Sequence, residues 1–102
     1  MNTITIKQND NGIGIKGNLV NENGYVDLTG STVYFLFDDH QIPAQVTDPS
    51  KGEILVVFER IHTEKVGTFE CEVEVVFSDG RNETFPNDSY IELHIMQDKG
   101  GM

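Results

Sequence analysis

Between Thr68 and Phe77 apolar and acidic side chains take turns: Phe69, Cys71, Val73, Val75 and Phe77 occupy one set of positions, and Glu70, Glu72 and Glu74 the other. A repeat of two is the period of a β-strand with one face in a core and the other in water. The strand runs into Ser78-Asp79-Gly80-Arg81, where Gly80 accepts the positive φ of a tight turn, and Asn82 to Phe85 returns as the second arm of a hairpin. Pro86-Asn87-Asp88 breaks the pairing, after which Tyr90 to Met96 resumes the alternation with Ile91, Leu93 and Ile95 on one side.

The earlier part of the chain follows the same rule. Thr3 to Lys7 and Ile13 to Val20 flank the turn-forming Asn9-Asp10-Asn11-Gly12, and Thr32 to Asp38 follows Asp27-Leu28-Thr29-Gly30. Gln41 to Val46 contains Pro43, which cannot donate to a ladder, so this segment is expected as an edge strand or a short one. Glu53 to Phe58 follows the loop Asp48-Pro49-Ser50-Lys51-Gly52. No segment has helical periodicity. Strands separated by turn signals about every 8–12 residues predict an all-β fold, an immunoglobulin-like antiparallel β-sandwich of about seven to eight strands. A chain of 102 residues has room for one core. The expected organisation is one domain over residues 1–97 and a flexible tail over 98–102.

Charge and cysteine content narrow the function classes. Seventeen acidic residues against seven basic ones give a net charge of −10, the wrong sign for a phosphate backbone, so nucleic acid is not an expected partner. Cys71 is the single cysteine, which rules out an intramolecular disulfide and suits a reducing compartment. The longest apolar runs, Val33 to Phe37 and Ile54 to Phe58, fall far short of the roughly 20 residues of a membrane helix, so no membrane insertion is expected. Met1 to Ile6 shows no basic segment followed by an apolar one, and the reading is of a chain made in a cytoplasm.

A search for chemistry finds none. Cys71 sits among apolar neighbours that keep a thiol protonated. His40, His62 and His94 lack metal-ligand spacing, and neither Asp38-Asp39 nor Asp10-Asn11-Gly12 has the pattern of a calcium loop. Gly12-Ile13-Gly14 lacks the rest of a phosphate-binding fingerprint, and the Glu70, Glu72, Glu74 row has the character of a solvated face. No catalytic, cofactor-binding or metal-ligating residue is assigned, and no cofactor is implied. Two segments are apolar on both faces, Val33 to Phe37 and Ile54 to Phe58. Covering loops would account for this; so would a partner surface, for which Tyr34, Leu36, Leu55 and Val57 are the candidate interface.

The ordered elements also resemble a known family. Tyr25 to Phe35 contains Asp27-Leu28-Thr29-Gly30 before an apolar strand. Val46 to Ile54 contains the Asp48-to-Gly52 loop, and Val66 to Val73 has the form Gly67-x-Phe69-x-x-Glu72. The Ser78-Asp79-Gly80-Arg81 hairpin and Thr84-Phe85-Pro86 follow. In this order, over roughly residues 3 to 96, the chain resembles the amino-terminal domain of phage baseplate upper proteins, from tailed phages of Gram-positive bacteria. The resemblance implies a non-enzymatic virion protein of the tail or baseplate, made in the host cytoplasm. Its implied partners are other tail or baseplate proteins, with a homo-oligomer as a further arrangement. Two other classes stay open on the residues alone: a carbohydrate-binding or adhesive β-sandwich, and an acidic intracellular inhibitor of a host enzyme.

Overall fold

Apolar residues at every second position must all reach one core, and the strands arrange themselves to allow it. The computed structural model describes residues 3–86 and 90–97. Among them are β1 (Thr3–Lys7), β2 (Ile13–Asn18), β3 (Val20–Asn21), β4 (Gly24–Tyr25), β5 (Thr32–Phe37), β6 (His40–Asp48), β7 (Glu53–Phe58), β8 (Gly67–Val76), β9 (Asn82–Phe85) and β10 (Ile91–Met96). A 3-10 turn at Pro49–Lys51 and a one-turn helix α1 at Arg60–Thr63 complete the list. The fold is an all-β sandwich, as the alternation predicts. The expected break at Asn87 and Asp88 and the expected tail over 98–102 lie outside the described residues.

The strand order is β1-β10-β8-β5-β6-β7-β2, with β9 beside β8 and β3 paired with β4 as a separate hairpin. Two long strands hold the layers together. β8 pairs with β5 along one edge; on its other edge Gly67 to Cys71 meets β10 and Val73 to Val76 meets β9. β6 changes layer: its first half, His40 to Ala44, pairs with β5, and its second half, Gln45 to Asp48, pairs with β7 across an irregularity between Val46 and Asp48. The sheet therefore folds over on itself along β6. Residues from both layers fill the space between, among them Val33, Phe35, Phe37, Val56, Phe58, Cys71, Val73, Val75 and Leu93.

Four features differ from the sequence expectation. β6 joins β5 to β7 instead of ending a sheet, although each of its halves has a single neighbour and Pro43 lies in the half paired with β5. A two-residue turn makes Phe37 and His40 a hydrogen-bonded pair, so the alternation of an antiparallel ladder turns the Pro43 nitrogen away from β5, and no bond is forfeited. β1 and β10 run parallel, a long-range pairing that periodicity cannot reveal. Ile13 to Val20 is not one strand: β2 ends at Asn18, Leu19 turns inward to 8% exposure, and Val20 opens the β3–β4 hairpin. The helix α1, at four residues, is too short to leave a periodic signal. In β8 the inward face is as expected at Cys71, Val73 and Val75, whereas Phe69 and Phe77, at or beyond the strand's ends, are only partly buried.

The end of the sandwich near β3 and β4 is organised by the Asp27-to-Gly30 turn. The Thr29 N–H and hydroxyl both donate to Asp27 Oδ1, at 3.0 and 2.6 Å, and this holds the Asp27 carboxyl below its usual pKa. The turn delivers Leu28 into the core at 1% exposure, and the Leu28 N–H donates to the Pro49 carbonyl at 3.0 Å. The Asp48-to-Gly52 loop is thereby tied to the turn. Gly52 closes the arrangement at φ 57, with its carbonyl accepting from the Leu19 N–H at 2.8 Å. A Cβ added there would meet the Leu19 carbonyl oxygen at 2.5 Å and that of Val26 at 2.9 Å, backbone atoms that cannot swing aside. Gly17, on β2, has nothing within 4 Å of the corresponding position. Gly52→Ala should therefore cost at least about 1–3 kcal/mol, the range for a strained backbone position before any clash is added. Gly17→Ala should change stability by less than about 1 kcal/mol. Urea unfolding of the two variants checks this, and equal losses would contradict the packing described.

Candidate interaction surface

Residues on the outer faces are positioned by the same pairing that fills the core. On β5, Tyr34 lies between Pro43 and Glu74, and Leu36 lies between Gln41 and Glu72. Both are half-buried. On β7, Leu55 lies between Gln45 and Lys16, and Val57 lies beside Gly14. Leu55 is half-buried and Val57 is 37% exposed. Gly14 leaves room for the Leu55 side chain, whose Cδ1 would come within 3.2 Å of a Cβ there. The four candidate residues thus form two pairs, one on each side of β6. Pro43 and Gln45, two apart on that strand, link the pairs, so the folded-over sheet presents them as separate patches on one continuous outer surface.

The flank of the first patch is acidic. Glu70 is exposed and stands directly opposite Glu92 of β10, while Glu72 and Glu74 are half-buried beside Leu36 and Tyr34. Opposed like charges are unfavourable on a sheet. Glu92 meets His94 Nε2 at 2.7 Å, but Glu70, Glu72 and Glu74 form no ion pair among the described residues. Three basic groups are engaged elsewhere: Lys16 with Glu53 at 3.8 Å, Lys65 with Asp38 at 3.6 Å and Arg81 with Asp79 at 2.8 Å.

The residues weighed for chemistry are placed as follows. Cys71 has no exposed surface, and burial pushes its thiol up to about 12, against a smaller opposing contribution from a backbone hydrogen bond. Asp38, Asp39 and His40, at the β5–β6 turn, bring three potential ligand atoms within 4.8 Å of one another, but Lys65 already compensates Asp38. His94 is paired along its own strand with Glu92, whereas His40 and His62 meet at 5.2 Å, a contact between distant segments that no local spacing announces. An apolar cleft of about 460 Å³ opens between the edges of β1 and β2, with Ile4, Ile15, Leu19, Phe85 and Ile91 among its walls. Its residues come from segments spread along the whole chain, and no sequence signal joins them. No helix among the described residues is long and apolar enough to cross a membrane.

This folded-over sheet has a solved counterpart. The chain shares the fold of the N-terminal domain of phage TP901-1 ORF48. The similarity covers 95% of this chain and 85% of that one, with a TM-score of 0.68 and 17% sequence identity. No protein-family model matches the sequence, and neither does any curated protein. At this identity the architecture is what the two have in common.

The burial of Cys71 has a direct consequence. A thiol reagent at pH 8 should modify it slowly in the native protein and at the rate of a free cysteine in denaturant. Equal rates in the two conditions would place Cys71 on the wrong face of β8.

Proposed function

We propose that this protein is a structural component of a phage tail or baseplate that works by protein–protein contact and carries out no catalysis. The observation that carries the reading is the shared fold with the phage ORF48 domain over 95% of the chain. Its support is the ordered set of turn motifs, which resemble those of baseplate upper proteins, and the structural work those turns do here. Asp27 to Gly30 inserts Leu28, Gly52 closes over the Leu19 and Val26 carbonyls, and Asp79 to Arg81 closes the β8–β9 hairpin. A domain of this kind acts by burying surface against neighbours, and interfaces need an apolar centre within a polar rim. Tyr34 and Leu36, and across β6 Leu55 and Val57, are the proposed apolar centres, with Glu70, Glu72 and Glu74 as the acidic rim. The partners are other tail or baseplate proteins or a further copy of the chain, and the protein resides in the virion.

The test is to probe purified virions of the phage that encodes the chain by mass spectrometry and immunogold microscopy. Labelling at the tail or its tip is the expected result. Leu36→Asp should lower incorporation while leaving the circular dichroism spectrum unchanged. A protein abundant in infected cells and absent from virions would overturn the reading and favour an intracellular inhibitor.

A further inference from the structure

β5 begins beside the Asp27-to-Gly30 turn, so the β5–β6 turn lies at the opposite end of the sandwich. Two histidines from distant segments meet there. His40 leads β6 out of the turn, His62 belongs to α1, and their rings stand edge to face with centroids 5.2 Å apart and planes at 84°. His40 packs on Phe37 at 5.0 Å, and His62 lies 6.5 Å from the fully buried Phe58. The Nδ1 of His62 accepts the backbone N–H of Glu59 at 2.9 Å. A ring nitrogen that accepts a hydrogen bond carries no proton, so His62 is the neutral imidazole with its hydrogen on Nε2.

That bond matters because α1 cannot hold itself. One helical turn is far below the roughly 12–15 residues at which an isolated helix becomes marginal. The turn is instead fastened at both ends of the segment. His62 ties its start: the Glu59 N–H donates to the ring, and the His62 N–H donates to the Glu59 carbonyl at 2.9 Å. The β1–β2 loop ties the rest. The Asn9 N–H donates to the Thr63 carbonyl at 3.0 Å, and the Thr63 hydroxyl to the Asp10 carbonyl at 2.8 Å. The Arg60 N–H donates to Asn11 Oδ1 at 2.9 Å, and Gln8 Nε2 to the Glu64 carbonyl at 3.0 Å. Loop and helix are one unit, with the imidazole as its titratable fastening.

We propose that His62 is a proton-operated latch, whose protonation in mild acid releases α1 and residues 9–11 of the β1–β2 loop together from this end of the sandwich, while the Gln8 N–H to Met96 and Gly12 N–H to Phe58 carbonyl bonds keep the loop's ends in place. A proton on Nδ1 turns the acceptor into a donor, leaving the Glu59 N–H facing another N–H. It also places a charge beside an apolar ring and next to His40. The charged and titratable groups around the site are His40 from the β5–β6 turn and Glu59 at the start of α1. Beyond them, Asp39 lies 3.9 Å from His40 Nε2, and Lys65 is paired with Asp38 on the same turn. Burial and His40 disfavour the imidazolium, Glu59 favours it, and the first two prevail, so the pKa of His62 lies below its ordinary value of 6.5. The released state then binds the proton more tightly than the latched one. The contribution of the latch is complete above 6.5 and is lost as the pH falls through the lower value of the folded state.

Amide hydrogen exchange by NMR on the full chain between pH 7.5 and 5.0, corrected for intrinsic rates, reads the latch directly. Protection at Asn9, Glu59 and Arg60 should fall together as the pH drops from 6.5 to the lower His62 midpoint of the latched state, by up to about tenfold per pH unit, the limit for one linked proton, and should level off below that midpoint. Protection at Val73 and Val75 should hold. His62→Gln keeps an acceptor at a position where glutamine commonly serves a helix start, and its loop protection should be independent of pH over this range. A flat profile in the native protein, or an equal fall in His62→Gln, overturns the proposal. Should that variant fail to fold, the ring-proton titration of His62 decides instead: a midpoint at the pH where the loop amides stop losing protection supports the latch, and a different one overturns it.

Discussion

Phe58 is where the two layers of the sandwich become one body. It projects from β7 and has no exposed surface, and its ring stands 5.4 Å from Phe35 and 6.0 Å from Phe37, both from β5. Phe37 extends the cluster to Phe69 of β8 at 5.6 Å. Edge-to-face contacts of this kind add about 0.5–1.5 kcal/mol each to the apolar area they remove from water. Their larger effect is geometric. β7 reaches β5 only because β6 changes partners halfway along, so the ring cluster and the fold-over of β6 require each other. With no disulfide available, packing across this seam is what keeps the layers together.

Much of this could be read from the sequence, and the parts that could not left no local signal. β1, β7 and β9 have the predicted limits because period-two patterning and turn residues are local signals. The inward face of β8 follows from the same alternation. Two features needed information from far along the chain, the parallel pairing of β1 with β10 and the change of partners in β6, whereas the local hairpin of β3 and β4 has strands of two residues, too short to show alternation. Pro43 shows how a correct local rule misled. Its missing N–H does demand an unpaired position, and β6 supplies one while still joining two strands, because each half has a different single neighbour.

The candidate surface was legible only as a list of residues. Apolar side chains on both faces of β5 and β7 marked Tyr34, Leu36, Leu55 and Val57, yet nothing local could say that β6 would stand between them. The acidic flank was visible as alternation, whereas the opposition of Glu70 and Glu92 depends on the β8–β10 register. His40 and His62 are 22 positions apart in sequence and carry no motif. Their meeting follows from the fold, since both the β5–β6 turn and the segment after β7 emerge at the same end.

The two ends of the sandwich are held by different chemistry, and this gives the domain an asymmetry that its composition does not suggest. At one end the turns are fastened by carboxylates that accept hydrogen bonds: Asp27 from Thr29, and Asp79 from the backbone N–H and side chain of Arg81. Those bonds lower the pKa of both acids, so each stays ionised well below the range in which histidine titrates. Leu28 adds an apolar anchor that no proton can alter. At the other end the corresponding fastening is an imidazole accepting from Glu59, supported by a loop whose middle residues bond to that same helix turn. Between about pH 5 and 7, where carboxylates keep their charge and imidazoles do not stay neutral, a proton finds only one end to act on.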